Sequence, residues 1–132
     1  MKDQRTWVFV ANRIMTEQEV DAIQEALESF VSSWKTHGTP IQANGFCFQR
    51  ASIVIAANEK EVKASGCSID KIMHTIRAIG EDVGIDFFDR FNVLCKNDNG
   101  DWILDRYHLG NASTSINSMI VSLMEFNKKA GE

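Results

Sequence analysis

The sequence predicts an α+β fold: a ferredoxin-like βαββαβ core with an antiparallel sheet, extended by one more β-strand and a C-terminal helix. Three observations predict it. Apolar runs of strand length alternate with stretches of helical periodicity in the order β-α-β-β-α-β, followed by β-α. The first and third strands, which right-handed crossovers make central, are the apolar ones, while Gln49, Asn92 and Lys96 mark the outer pair. Asn99-Gly100 supplies a hairpin turn between the fourth and fifth strands. With 132 residues, 44% hydrophobic and 24% charged, the chain is read as one domain, 1–132, able to bury a full core.

Residues 6–11 form a continuous apolar run, as in a strand covered on both faces. Thr16-Glu17-Gln18-Glu19 is a capping box that starts a helix, with Val20, Ile23, Leu27, Phe30, Val31 and Trp34 at helical spacing and His37-Gly38-Thr39-Pro40 as its end. Residues 43–49 and 52–57 read as a hairpin, although its link at Arg50-Ala51 lacks the glycine or asparagine of a tight turn. Ala64-Ser65-Gly66-Cys67-Ser68-Ile69-Asp70 then leads into a second helix with Ile69, Ile72, Met73, Ile76, Ile79 and Val83 on one stripe and Gly84 as C-cap. Residues 85–90 connect to strands at 91–96 and 102–107. Ile116, Met119, Ile120, Leu123 and Phe126 predict a last helix, whose C-terminal end Lys128-Lys129 suits.

Composition narrows the function classes. A net charge of -4 with interspersed signs lacks the electrostatic footprint of a nucleic-acid binder. No apolar run reaches the length of a membrane span, and the N-terminus has no apolar signal region, so a cytoplasmic protein is expected. Cys47, Cys67 and Cys95 show no paired spacing, and His37, His74 and His108 are scattered; free thiols, no metal and no cofactor are expected.

The expected layout brings Trp34, His37 and Gly38 near Asn58, Glu59, Cys67 and Ser68, and gathers Asn12, Arg13, Arg50, Asp89 and Arg90 at the opposite edge. Both helices cover one sheet face, leaving the other for the last helix or for a second copy in a homodimer. The helix N-terminus at residues 65–68 favours a phosphate or carboxylate, which makes Ser65, Gly66, Ser68, Trp34 and Asn58 ligand-binding candidates, with Arg50 as a further cation for an acid. The plainer alternative has Ser68 capping the helix and Gly66 permitting the turn. Cys67 stands where the helix dipole favours a thiolate, and His37 is the histidine placed to serve as its base. Against this, a free cysteine is commonly a small buried hydrophobe. His74 reads as a helix-face residue paired with Asp70, His108 as a loop residue, Trp7 and Trp34 as core, and Asp89-Arg90 as an ion pair in the connector.

The pattern Trp34-x-x-His37-Gly38, then Ala64-Ser65-Gly66-Cys67-Ser68-Ile69-Asp70, then Asp86-Phe87-Phe88-Asp89-Arg90 resembles an uncharacterised family of short bacterial proteins over nearly the whole chain. Members are sometimes labelled ABC transporter ATPase. The chain has no GxxxxGK[ST] loop to cradle nucleotide phosphates, so an ATPase is not the expectation. Asn58 stands where the resemblance implies an aspartate. The leading expectation is a domain binding a small anionic ligand or a protein partner at the Cys67 helix N-terminus. The alternatives are a cysteine-dependent acyl-transfer or thiol enzyme with Cys67 as nucleophile and His37 as base, and a structural dimerisation module.

Overall fold

Alternating side chains on two apolar strands determine where everything else packs. The computed structural model describes residues 3–131. Strand β1 (Arg5–Val10) pairs antiparallel with β5 (Ser52–Asn58), which pairs antiparallel with β4 (Gln42–Phe48), giving a three-stranded sheet of order β1-β5-β4. Phe9, Ile53, Ile55 and Ala57 point to one face; Val8, Val10 and Val54 point to the other. Both faces are buried, and this is why the runs are apolar throughout rather than alternating.

Helix α1 (Glu17–Ser33) covers the first face. It starts at the expected capping box: Thr16 Oγ1 accepts from the Glu19 N–H (3.1 Å) and the Glu19 carboxylate accepts from the Thr16 N–H (2.9 Å). Its buried Leu27 lies over Gly45 of β4, where a Cβ would come within 3.3 Å of the Leu27 Cβ. Helix α2 (Gly66–Val83) shares that face through Ile72, Ile76 and Ile79. Gly84 ends it in the left-handed conformation (φ 71°), as expected. Gly80 is needed for another reason: a Cβ there would stand 2.5 Å from the Ile85 carbonyl oxygen.

The first helix ends sooner than His37-Gly38 implied. Trp34 leaves it in an extended conformation, and β2 (Lys35–Thr36) and β3 (Thr39–Pro40) form a small hairpin whose turn is His37 (φ 50°) and Gly38 (φ 80°). The β4–β5 turn places Gln49 (φ 55°) and Arg50 (φ 53°) in the left-handed region, where neither residue type is at ease. Tertiary hydrogen bonds hold it, since the Arg50 carbonyl accepts from Met15 N–H (2.7 Å) and the Ala51 carbonyl from Ala11 N–H (2.8 Å).

The α+β class is observed, but the four-stranded ferredoxin-like sheet is not. The expected fourth strand, β6 (Asn92–Lys96), forms the predicted hairpin with β7 (Trp102–Arg106) instead of joining β1. Its other edge is already used, because Leu94 and Ile116 exchange two backbone hydrogen bonds (2.9 and 2.8 Å). The last helix also starts later than the spacing from Ile116 implied: α3 spans Leu123–Gly131. The Asn117 side chain accepts from Met119 N–H (2.9 Å) and donates to Ser115, offering the backbone an alternative to helix. Ser122 then caps α3 through the Glu125 N–H, and Asp3 accepts from Met124 N–H, which draws the Asp3 carboxyl below its ordinary pKa.

Phe126, Ile116, Ile120 and Leu94 pack on Val8, Val10 and Val54, so α3 and the β6–β7 hairpin side cover the second sheet face. Of the two coverings expected for this face, the last helix or a second copy, the structure shows the last helix, joined by the hairpin side. No helix among the described residues is long and apolar enough to cross a membrane.

Candidate functional site

Reciprocal hydrogen bonds organise the start of α2. Ser65, not Ser68, is the N-cap: its Oγ accepts from the Ser68 N–H (3.2 Å), while Ser65 N–H donates to Ser68 Oγ (2.6 Å). Ser68 is buried in the role that glutamate usually takes. Gly66 is the first helical residue, with open space around its Cβ position and no left-handed φ to require a glycine. The expectation that Ser68 caps and Gly66 permits the turn is thereby corrected.

The predicted convergence of the first helix's end on this start is real, but it is a core contact. Trp34 is 2% exposed, its Nε1 donates to the Ser68 carbonyl (2.8 Å), and its ring packs on Phe30 (5.3 Å) and edge-on to Trp7 (5.9 Å). Its ring has no face to offer a ligand. Cys67 and His37 are both exposed, and among the described residues no hydrogen bond joins them. Asn58 folds its own loop, accepting from Lys60 N–H (3.0 Å), and lines a hollow of about 370 Å³ with Thr39, Pro40, Gln42 and Glu61. Arg50 lies beyond the opposite end of β5 from Asn58 and does not join this group. His74 is exposed and forms no ion pair with Asp70; His108 accepts from Gly110 N–H (3.0 Å) through Nδ1 in its loop.

Charge pairing at the other edge also differs from the expectation. Asp89 pairs with Arg106 (2.9 Å), lowering the Asp89 pKa, and Arg90 turns to Ser118 Oγ (3.2 Å). Arg13 forks onto Glu19 (2.9 and 2.8 Å) and donates to the Val83 carbonyl (2.8 Å), tying the start of α1 to the end of α2. The guanidinium, aided by the Thr16 N–H, holds the Glu19 carboxyl down at about 2. Burial pushes the Cys47 thiol up to about 11, and burial with Asp105 nearby raises Cys95. Among the described residues no three His, Cys, Asp or Glu side chains cluster as a metal site would need.

The concave feature that sequence reasoning missed lies along the free edge of β1. Along this strand and its two ends the N–H and C=O groups of residues 4, 6, 8, 10 and 12 point away from β5. The first are taken up by residues 121–123, through Thr6 N–H to Val121 O and Leu123 N–H to Gln4 O (both 2.9 Å). The last are taken up by Asp86, through Asn12 N–H to Asp86 O (3.1 Å). Between them, among the described residues, no strand takes up the outward groups of Val8 and Val10. A groove of about 360 Å³ runs here, lined by Met73, Phe87 and Phe88 and by Ser118, Ile120 and Val121. Arg5 and Arg90 both line it; Arg90 pairs with no carboxylate among the described residues. The only local signal was the apolar Phe87-Phe88 beside Arg90 in the connector. Comparison with protein-family models, curated proteins and solved structures gives no match for this chain.

Proposed function

We propose that this chain is a non-catalytic binding domain whose groove beside β1 takes up an extended, acid-bearing segment of a protein partner. The observation that carries the reading is the interrupted edge of β1, hydrogen-bonded at Thr6 and Asn12 and, among the described residues, without a strand partner at Val8 and Val10, of which Val8 lines the groove. An extended segment adds there as a short strand; main-chain hydrogen bonds supply affinity, and the apolar walls select alternate side chains. Arg90 suits a carboxylate, since a guanidinium grips one with two parallel donors. The start of α2 plays no part in this reading, because Ser65 and Ser68 spend their polar groups on each other.

Selection from a displayed library of random short peptides tests it. The expected winners alternate apolar residues and carry Asp or Glu. Their affinity falls at least tenfold in Arg90→Ala, which removes a charge-assisted hydrogen bond. It falls likewise in Val8→Pro, which deletes an outward N–H without touching the β1–β5 ladder. Absence of any enriched peptide, or enriched peptides that bind both folded variants unchanged, refutes the reading.

A second reading rests on one observation, the exposure of both Cys67, in the first turn of α2, and His37, in the β2–β3 turn. It makes Cys67 the nucleophile and His37 the base of an acyl-transfer or thiol enzyme, and it stands or falls with the thiol reactivity treated in the Discussion.

A further inference from the structure

A second concavity, on the far side of the sheet from α1 and α2, is lined by cations in a chain whose net charge is -4. It encloses about 630 Å³ and brings together Lys96 and Trp102 from the β6–β7 hairpin, Ser113 and Thr114 from the following loop, and Lys128 and Lys129 from α3. That volume lies within the range of small-molecule sites and is far larger than a single inorganic ion needs. Lys96 and Trp102 are cross-strand partners, and the Lys96 Nζ sits 5.3 Å from the Trp102 ring centroid. The ring is fixed from beneath, edge-on to Phe48 at 5.2 Å, and Phe48 in turn packs on Phe126 of α3. Lys129 is held by Glu125 one turn earlier (3.2 Å) with its side chain only 15% exposed.

We propose that this concavity binds a phosphate monoester of about nucleotide size, its phosphate among the three lysines and its organic part against Trp102. Charge complementarity argues for the phosphate. Three lysines face one carboxylate, Glu125, an excess of two positive charges, and a phosphate monoester carries about -1.5 to -2 at neutral pH. Lysine ammonium groups act as point charges that suit tetrahedral oxygens, and the exposed Ser113 and Thr114 hydroxyls add donors at the rim. The anchored indole supplies the apolar surface that distinguishes an ester from free phosphate. Because α3 ends here, Lys128 and Lys129 also offset the negative end of its dipole. That role requires them near the helix end but does not require Lys96 to converge on them from another element.

Titration with adenosine monophosphate, adenosine and inorganic phosphate, followed by tryptophan fluorescence, tests the proposal on the intact chain. The expected result is saturable quenching by adenosine monophosphate, at least tenfold tighter than by either of the other two and absent from Trp102→Phe. The Lys128→Ala/Lys129→Ala double variant weakens it at least tenfold, as loss of charge-assisted bonds does. Equal binding of inorganic phosphate and the nucleotide, no saturable binding, or a nucleotide affinity unchanged in the folded lysine variant overturns it.

Discussion

At the start of α2, Ser65 and Ser68 exchange hydrogen bonds and Trp34 grips the Ser68 carbonyl from the core, so the polar groups that make the segment conspicuous are already occupied by one another. Along β1, by contrast, an ordinary apolar strand leaves the edge groups of Val8 and Val10 without a strand partner among the described residues, and Val8 lines a groove there. Polar residues in a suggestive order thus mark a helix cap, while the recess is built from residues 7–9 together with Phe87, Phe88, Arg90, Ser118, Ile120 and Val121. Function is sought where backbone capacity is left over, not where polar side chains are concentrated.

The largest effect that sharpens this contrast is expected from Trp34→Ala. If Trp34 is core rather than ligand platform, its loss costs about 3–5 kcal/mol in denaturant unfolding, as for other large aromatics removed from a core. A loss below about 1 kcal/mol would put the ring at a surface site after all.

Next come the cap residues. Ser65→Ala should cost about 1 kcal/mol through the lost N-cap, whereas Gly66→Ala should be neutral or stabilising by up to about 1 kcal/mol, because a Cβ there meets open space. A Gly66→Ala variant clearly less stable than the parent would mean that the glycine serves something other than the helix.

Acid should loosen the clamp between α1 and α2. The Glu19 pKa is lowered from 4.5 to about 2, so its contribution to stability is fully present above pH 4.5 and lost as pH falls towards 2. The stability difference between the parent and Glu19→Gln should therefore shrink across that window. A difference that stays constant with pH would contradict the pairing with Arg13.

The smallest effect expected is a difference in thiol reactivity. Exposed Cys67 should label before Cys95, and Cys47 last, its thiol raised to about 11 by burial. On the binding reading, Cys67 reacts no faster than in the urea-unfolded chain. Labelling many times faster than that control would revive the enzyme with His37 as base.

The sequence made several elements legible for local reasons. Thr16 and Glu19 signal a helix start by themselves, Asn99-Gly100 signals a hairpin, and the apolar strands announce burial on both faces. Legibility failed where a distant partner decided the outcome. Ile116 and Ile120 keep helical spacing, yet Ile116 bonds to Leu94 and the Asn117 side chain accepts from the Met119 N–H. The same bond from Leu94 withdraws β6 from β1 and leaves the groove, which no local pattern around Val8 could announce. Of the residues singled out for a site, Trp34 and Ser68 do meet, but inside the fold; Arg50 holds a strained turn at the far end of the sheet.

The central claim is tested most directly by mapping amide chemical shifts of the labelled protein as a peptide selected for binding is added. The account predicts the largest shifts at Val8, Val10, Arg90 and Ser118, with Gly66 and Cys67 unmoved. Shifts centred on Gly66, Cys67 and His37, with Val8 and Val10 unchanged, would contradict it and return the site to the start of α2.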